Sequence, residues 1–202
     1  MICIINYGMG NLASIVNMYK HIGISDVIVS SDKNEISEAS RIILPGVGAF
    51  DNGMSQLKSS GLIEVLNYKA FNQKVPFLGI CLGMQLMTKG SEEGTLPGLG
   101  WFDAYTYKFK KTAGLKIPHM GWNYIKPLHD RSGFLHAGKK YRFYFVHSYH
   151  VKCENDHEVM FKTKYGSEFD SGIHNDNIYG VQFHPEKSLH FGMDILKRFS
   201  EI

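Results

Sequence analysis

Cysteine is scarce in this chain of 202 residues, and neither a long apolar run nor a strong net charge is present. The three cysteines are an odd number without CxxC spacing, which argues against a disulfide framework and a zinc site. We therefore expect cytoplasmic residence, with no metal and no cofactor. No apolar run approaches the roughly 20 residues of a membrane helix. The net charge of +3, with acidic and basic residues interspersed, argues against a nucleic-acid partner.

The composition is ordinary for a globular protein, with 44% hydrophobic and 20% charged residues. The length suits one substantial domain, and a second would have to be small. No internal repeat, low-complexity tract or linker divides the chain. We therefore predict a single domain over residues 1–202.

The first ninety residues alternate strand and helix patterns, which predicts an α/β fold with an open, mostly parallel sheet flanked by helices. Such sheets place their sites at the carboxyl ends of the strands. The second half is rich in aromatic and β-branched residues, which predicts antiparallel strands added to the sheet. The predicted strands are 2–6, 27–29, 41–44, 75–80, 102–109, 122–125, 141–151, 159–165 and 178–183. The predicted helices are 12–22, a short one from Asp32, a stretch up to about residue 71, 82–89 and 189–199.

The segment Gly79-Ile-Cys-Leu-Gly83 lies between an apolar strand and a helical stretch. It is the cysteine version of the nucleophile elbow G-x-S-x-G, in which small neighbours relieve the crowding of a sharp strand-to-helix turn. A nearby helix N-terminus favours a thiolate, and the amide of Leu82 would point at the oxyanion of an attacked carbonyl. Cys81 is therefore a candidate nucleophile, although a buried structural cysteine in a tight turn is the alternative interpretation. Cys3 and Cys153 lie in apolar strand-like stretches and are predicted to be buried structural thiols.

A cysteine nucleophile needs a base and an orienting acid. His184 follows the buried strand pattern 178–183, so it emerges at the carboxyl end of a strand. Glu186 lies two residues further on, and in an extended chain these two positions share a face. The carboxylate can then orient the imidazole and set its tautomer. A His-Pro-Glu sequence alone is a weak motif, and it gains weight from the elbow at Cys81.

Acyl chemistry also needs a second donor aimed at the developing oxyanion. The loop Pro45-Gly-Val-Gly48 follows a predicted strand and offers the amides of Val47 and Gly48 without bulky side chains in the way. A plain Gly-Pro turn is the alternative interpretation of this loop.

Together these segments resemble the class I glutamine amidotransferases, over nearly the whole chain. They are most similar to the HisH family, the glutaminase subunits of imidazole glycerol phosphate synthase. The Pro118-His-Met-Gly-Trp-Asn123 segment is the most discriminating of the motifs. The segments that carry the resemblance are 6–11, 44–50, 79–85, 118–123, 145–149 and 182–188.

The resemblance implies that Gln85 and Glu93 hold the amino-acid end of glutamine, and that the backbone of His147, Ser148 and Tyr149 helps to seat its carboxylate. It also implies a partner, a (β/α)8-barrel cyclase subunit that forms a heterodimer with this chain. That subunit would use the ammonia on a phosphoribulosyl formimino-carboxamide nucleotide, giving imidazole glycerol phosphate and an aminoimidazole carboxamide ribotide in histidine biosynthesis. The residues implied to face this partner are Asn11, Trp122, Asn123 and Lys187.

Three alternatives remain open from the sequence. A paralogous glutaminase would supply ammonia to a surface-sugar amidotransferase, and the acidic and aromatic segment 165–172 departs from what a histidine-pathway subunit leads us to expect. A stand-alone cysteine hydrolase would need a lid or specificity domain, for which there is no sign. A catalytically inactive binding scaffold would have no use for the intact set of Cys81, His184 and Glu186.

Overall fold

The structure is a computed structural model that describes residues 1–128 and 133–202. Within these ranges eleven strands form one sheet. The strands are β1 Ile2–Ile5, β2 Val27–Ser30, β3 Arg41–Leu44, β4 Phe77–Ile80, β5 Ala104–Lys108, β6 His119–Pro127, β7 Tyr141–His147, β8 Tyr149–Cys153, β9 Val159–Tyr165, β10 Ser167–Asn175 and β11 Ile178–Val181. The α-helices are α1 Leu12–His21, α2 Lys33–Glu38, α3 Phe50–Ser59, α4 Ile63–Asn67, α5 Leu82–Leu86 and α6 Leu189–Glu201.

The sheet has a parallel part and an antiparallel part. Strands β2, β1, β3, β4 and β11 lie side by side in this order and are all parallel. Strands β10, β9, β6 and β7 continue the sheet with antiparallel pairing, and β8 pairs with both β10 and β5. The predicted fold, a parallel α/β sheet with antiparallel strands added in the second half, is confirmed.

The inner parallel strands β1, β3, β4 and β11 are largely buried on both faces because helices cover each side, whereas the edge strand β2 is partly exposed. Ile2 and Ile4 of β1 pack in one apolar cluster with residues of α1 and α6. Cys3 and Ile5 pack in a second cluster with residues of α2, α3, α4 and α5. Strands covered on both faces have continuous apolar sequences instead of alternating ones. This arrangement leaves the carboxyl ends of β3, β4 and β11 as the edge where polar side chains can meet.

The structure corrects the predicted elements at three points. The predicted helical stretch does reach residue 71, but it is broken near Gly61, whose φ is +67°: α3 comes before the break, and α4 follows it and continues into a π-helical turn at Tyr68–Asn72. The predicted strand 141–151 is two strands, β7 and β8, separated at Ser148. Strand β10 was not predicted, because its buried polar residues Asp170 and Ser171 interrupt the apolar pattern.

Among the described residues, no helix is long and apolar enough to cross a membrane. Cys3 and Cys153 are buried free thiols, as predicted. Burial raises the pKa of the Cys3 thiol to about 11 and the pKa of Cys153 further still. Neither side chain is therefore a thiolate near neutral pH, which leaves Cys81 as the cysteine with a chemical role to explain.

Candidate active site

Cys81 occupies a sharp turn between β4 and α5. Its φ of +53° and ψ of −108° are a backbone conformation that residues with a Cβ rarely adopt. A Cβ at Gly83 would lie 1.8 Å from the carbonyl oxygen of Leu44, and one at Gly79 would lie 2.9 Å from the backbone nitrogen of Met84. Only glycine fits at these two positions, so the strained turn at Cys81 depends on both.

His184 and Glu186 form a buried pair. Nδ1 of His184 lies 2.8 Å from Oε1 of Glu186, and the two side chains are 1% and 2% exposed. The prediction that they lie close together is confirmed, but the reason given for it is wrong. Pro185–Lys187 is a 3₁₀ turn, so the contact arises from a tight turn and not from an extended chain.

Strand β7 and the 3₁₀ turn hold the backbone of His184 in place. Its N–H donates to the carbonyl oxygen of Tyr144, 2.9 Å away. The hydroxyl of Ser188 donates to the carbonyl oxygen of His184 at 2.6 Å and accepts from the N–H of Tyr144 at 3.0 Å. These three bonds fix where the imidazole emerges above the sheet.

The electrostatic surroundings favour the protonated form of His184. Burial on its own would lower the pKa of the imidazole, but the negative charge of the nearby Cys81 and the carboxylate of Glu186 together raise it well above its usual value. Within the described part of the chain, Nε2 of His184 has no hydrogen-bond partner. The ring can therefore carry a proton on Nε2 beside Cys81 while Glu186 holds Nδ1.

Cys81 and His184 open into a cavity of about 310 Å³. All eight residues that the sequence predicted for the oxyanion or for glutamine line it, together with Pro118 and Val146, which the sequence did not predict. The wall residues are Val47, Gly48, Cys81, Leu82, Gln85, Glu93, Pro118, Val146, His147, Ser148, Tyr149 and His184. The structure thus brings together predicted residues from five separate segments of the chain.

The predicted oxyanion loop is anchored at one end and exposed at the other. The hydroxyl of Tyr7 donates to the carbonyl oxygen of Pro45 at 2.6 Å. Gly46 packs closely against Tyr7 and Leu82, where a Cβ would lie within 3.0 Å of both. Val47 is 41% exposed, and Gly48 has a φ of +106°. Val47 and Gly48 therefore line the cavity at the solvent-facing end of the loop, and the role of their amides as oxyanion donors stays a prediction.

The two side chains predicted to hold glutamine are already oriented by the protein. One carboxylate oxygen of Glu93 accepts from the N–H of Phe50 at 2.9 Å, at the start of α3. The Gln85 amide nitrogen donates to the carbonyl oxygen of Tyr149 at 3.2 Å and to Oε1 of Gln182 at 3.1 Å. Gln182 begins the segment 182–188 that carries the resemblance, but it was not predicted as a site residue, because a glutamine inside a buried strand pattern does not by itself indicate a role in the site.

Strand β6 presents an apolar face to solvent. Trp122 is 40% exposed, and Met120 and Tyr124, which the alternation of β6 could have identified, are 62% and 58% exposed. Asn123 points to the opposite face, where its amide nitrogen bonds to Nε2 of His119 and to the carbonyl oxygen of Lys164. Asn11 lies at the start of α1 and is half-buried, whereas the exposed Lys187 lies over the ring of Tyr144.

Two further buried histidines lie at this side of the site: His147 lines the cavity, and His119 contacts His147 from behind. Burial lowers the pKa of His119 to about 4 and the pKa of His147 to about 3. Both rings are therefore neutral near pH 7. Among the described residues, no group of three or more His, Cys, Asp or Glu side chains is arranged to hold a metal ion.

The buried neutral histidines predict acid-sensitive stability. Below the ordinary histidine pKa of about 6.5, the unfolded chain takes up protons that the folded protein refuses, so the free energy of unfolding falls as the pH drops from 6.5 towards 4. His119→Phe removes one of the groups that takes up a proton on unfolding. The slope of the free energy of unfolding against pH should therefore be smaller by up to about 1.4 kcal/mol per pH unit. Urea unfolding of both proteins at pH 7, 6 and 5 measures this difference; parallel curves would contradict a neutral His119.

Comparison with known proteins agrees with the fold and the site. A family model described as "Glutamine amidotransferase class-I" matches residues 3–201. The fold is also that of the solved "Crystal structure of glutamine amidotransferase", with a TM-score of 0.75, 16% identity and coverage of 100% of this chain and 98% of that one. A "putative gmp synthase subunit a protein" from Thermoplasma acidophilum has a TM-score of 0.71 at 18% identity, with coverage of 98% and 90%. Fold and site thus define a class I glutamine amidotransferase.

Relatives with higher sequence identity show which family within this class the chain belongs to. The chain is 53% identical to "Imidazole glycerol phosphate synthase subunit HisH 2" of Methanococcus maripaludis over 98% of both chains. It is 46% identical to the subunit HisH of Bdellovibrio bacteriovorus and 42% identical to HisH 2 of Pseudomonas aeruginosa, each over 100% of both chains. The chain belongs to the HisH family of class I glutamine amidotransferases.

Proposed function

We propose that this protein is the glutaminase subunit of an imidazole glycerol phosphate synthase, acting in the cytoplasm in histidine biosynthesis. The observation that carries the proposal is the meeting of a strained cysteine elbow with a buried His–Glu pair at one cavity. The names of relatives that match over their full length supply the pathway. The geometry itself supports hydrolysis of an amide side chain.

The chemistry follows from the three groups. The thiolate of Cys81 attacks the side-chain amide carbon of glutamine, and the amides of Leu82 and Gly48 stabilise the oxyanion. The imidazolium of His184 gives its proton to the leaving nitrogen, so that ammonia departs and a γ-glutamyl thioester remains. His184 then takes a proton from water, which attacks the thioester and releases glutamate and the thiol. Glu186 keeps the imidazole in the required orientation throughout.

The ammonia must reach a second active site, for which we propose a (β/α)8-barrel cyclase subunit in a heterodimer. The exposed apolar face of β6, formed by Met120, Trp122 and Tyr124, supports a protein partner, because aromatic and methionine side chains are enriched at interfaces. The guanidinium of Arg142 lies over the ring of Trp122 at 5.1 Å and holds it on this face. Asn11, Asn123 and Lys187 are the other proposed contacts with the partner.

Partner binding could also align the oxyanion loop. Losing one oxyanion donor costs about 100- to 1,000-fold in rate, so a misaligned Gly48 amide would leave the free subunit nearly inactive. We propose that contact at Trp122 and Asn11 orients the loop Pro45–Gly48. Glutaminase rates with and without a cognate cyclase test both this activation and the proposed function, with ¹⁵N-labelled glutamine tracing nitrogen into imidazole glycerol phosphate. Equal rates would disprove activation, and unlabelled product would disprove the proposed recipient.

Trp122→Ala should weaken the complex while sparing the fold. Central aromatic side chains at interfaces often contribute about 2 kcal/mol or more, which corresponds to a roughly 30-fold higher Kd. Because 40% of Trp122 is exposed, the thermal midpoint should change little. Titration with the cyclase measures the Kd, and Tyr68→Ala, which removes an aromatic side chain that is 55% exposed on the segment after α4, is the matched control. An unchanged Kd with full coupling would rule out an interface at Trp122.

The second candidate function keeps the glutaminase and changes the recipient to a surface-sugar amidotransferase. The observation behind this candidate is the acidic and aromatic segment 165–172, which departs from what a histidine-pathway subunit leads us to expect. Transfer of label from glutamine into a sugar, and not into imidazole glycerol phosphate, would favour this candidate.

The stand-alone hydrolase and the inactive scaffold are weaker alternatives. Labelling of Cys81 by a glutamine-mimicking electrophile separates the scaffold from the enzymes.

A further inference from the structure

The carbonyl oxygen of Tyr149 lies at the cavity wall and accepts two hydrogen bonds from buried side chains. One comes from Nε2 of Gln85 at 3.2 Å and the other from Nδ1 of His147 at 2.7 Å. A backbone carbonyl can only accept, so the atoms that face it must be donors. This single group therefore determines the orientation of the side chains on both sides of it.

On the first side, the hydrogen bonds lead to the sulfur of Cys81. Nε2 of Gln85 uses one hydrogen for the carbonyl of Tyr149 and directs the other at Gln182, 3.1 Å away. The atom of Gln182 that receives this hydrogen must be an acceptor, which is Oε1. The amide nitrogen of Gln182 is then left to donate to Sγ of Cys81, at 3.7 Å. With both hydrogens of its amide engaged, Gln85 has only Oε1 left for a ligand, an acceptor suited to an ammonium group.

The sheet places Gln182 beside the nucleophile. Strands β4 and β11 are parallel neighbours, and Val181 pairs with Ile80. The next residue of each strand is Gln182 and Cys81, so the two side chains emerge together at the carboxyl edge. The backbone N–H of Gln182 donates to Ser171 on β10 at 3.0 Å, and its side chain is 0% exposed. Two hydrogen bonds therefore position Gln182 beside the sulfur: its backbone N–H donates to Ser171, and its Oε1 accepts from Gln85.

On the second side, the hydrogen bonds lead to the edge of the sheet. Nδ1 of His147 donates to the carbonyl of Tyr149. Because this ring is neutral, its Nε2 carries no hydrogen and must accept. The donor to Nε2 of His147 is Nδ1 of His119, 2.9 Å away. His119 is neutral as well, so its Nε2 accepts from the amide nitrogen of Asn123 at 3.1 Å. The ring of His119 is stacked between Phe145 and Tyr165, with centroids 4.7 and 3.9 Å away.

We propose that one hydrogen-bond chain runs from β6 to the nucleophile, with Gln182 as a catalytic residue that stabilises the thiolate and the two histidines as positioning residues. The chain comprises Asn123, His119, His147, the carbonyl of Tyr149, Gln85, Gln182 and Cys81. The proposal rests on the proposed function, since it assigns new roles in the same reaction.

Gln182 acts on the charge of the sulfur. A donor to a thiolate favours the charged form over the neutral thiol, and bonds to charged groups are stronger than those between neutral groups. Gln182 thus stabilises the attacking form of Cys81 from one side while His184 stabilises it from the other. The same amide also accepts from Gln85 through its Oε1, which fixes the direction of its N–H towards the sulfur.

The role of Gln182 beside Cys81 is tested with iodoacetamide. This reagent alkylates thiolates, and its reaction does not require glutamine to bind or react. In Gln182→Leu the second-order rate of alkylation of Cys81 at pH 7 should fall about tenfold, with a similar fall in the glutaminase kcat. In Gln182→Glu, which has nearly the same shape and still accepts from Gln85, the fall should be larger, because a carboxylate faces the thiolate. Mass spectrometry of the labelled peptides separates Cys81 from Cys3 and Cys153.

The matched control is Thr163→Val, which removes a buried hydrogen bond of 2.8 Å to Ser171 in the same sheet without touching the cavity. It should lower the thermal midpoint and leave the alkylation rate within twofold. A folded Gln182→Leu or Gln182→Glu protein with the wild-type alkylation rate overturns the role of Gln182. Absence of glutaminase activity in the wild-type complex would instead overturn the proposed function, and the alkylation comparison would still stand.

The test of the histidine end separates KM from kcat. His119→Phe keeps the stacked ring but leaves His147 without its donor, so the wall at Tyr149 should shift and the KM for glutamine should rise about tenfold, with kcat within twofold. His119→Asn can donate from the position of Nδ1 and should recover most of the KM. His150→Phe is the control, because the His150 ring contacts the same Phe109 as His119 but lies outside the hydrogen-bond chain. An unchanged KM in His119→Phe, or no recovery in His119→Asn, overturns the positioning role.

Discussion

Cys81→Ala is expected to abolish glutamine hydrolysis, with kcat at least about 10⁴-fold lower, because it removes the sulfur that forms the acyl intermediate. The two remaining cysteines are buried in the apolar clusters, and burial raises their pKa values, so neither can replace Cys81. In the complex with a cyclase, synthesis from added ammonium should stay within twofold. The glutamine-dependent and ammonia-dependent rates of the same preparation measure both effects.

The strain at Cys81 predicts a second consequence of this variant. Alanine still has a Cβ at φ +53°, so the backbone strain remains and the thermal midpoint should change little. Cys153→Ala is the matched control, since Cys153 is 1% exposed and does not line the cavity, and it should lower stability without changing the glutaminase rate. If folded Cys81→Ala loses both activities, the proposed division of labour between two subunits is wrong.

His184→Ala should lower kcat by about 10³-fold or more, and Glu186→Gln by about 10- to 100-fold. His184 carries the proton to the leaving nitrogen, whereas Glu186 orients the ring and stabilises its charge. A glutamine amide can still accept from Nδ1 through its oxygen, which preserves much of the orientation. Initial rates at saturating glutamine, with the cyclase present, measure both variants.

The pH dependence separates the two roles further. The carboxylate of Glu186 is one of the charges that raise the pKa of His184. In Glu186→Gln the alkaline limb of the rate profile should therefore move to lower pH, because His184 loses its proton more readily. A loss as large as that of His184→Ala would contradict this ranking, since it would mean that the amide turns its nitrogen to Nδ1 and imposes the wrong tautomer.

The candidate site could be predicted from sequence to the extent that each part carries a local signal. Gly79 and Gly83 bracket Cys81, and the structure explains both through contacts that leave no room for a Cβ. His184 follows a buried strand, which places it at the same sheet edge as Cys81. Glu186 was expected to approach His184 along an extended chain, but the contact is made by the 3₁₀ turn at Pro185–Lys187.

Other features had no local signal. Gln182 lies in a buried strand pattern, where nothing in the neighbouring residues distinguishes a catalytic amide from a core residue. Strand β10 was missed because its buried Asp170 and Ser171 satisfy their polar atoms through other strands. The face on which Asn123 lies depends on the register of β6 with β7, which pairs Asn123 with Phe143.

The sequence by itself determined the elements that depend on near neighbours: the parallel strands, the cysteine elbow, the glycine loop at Gly48 and the His–Glu pair. Their signals are local, because backbone strain, helix periodicity and apolar runs act over a few residues. Only the tertiary structure decided which side chains share hydrogen bonds. Gln182 lies 101 positions from Cys81 and 97 from Gln85 along the chain. These residues meet because β4 and β11 pair in one register, and long-range pairing of strands is set by the packing of the whole sheet.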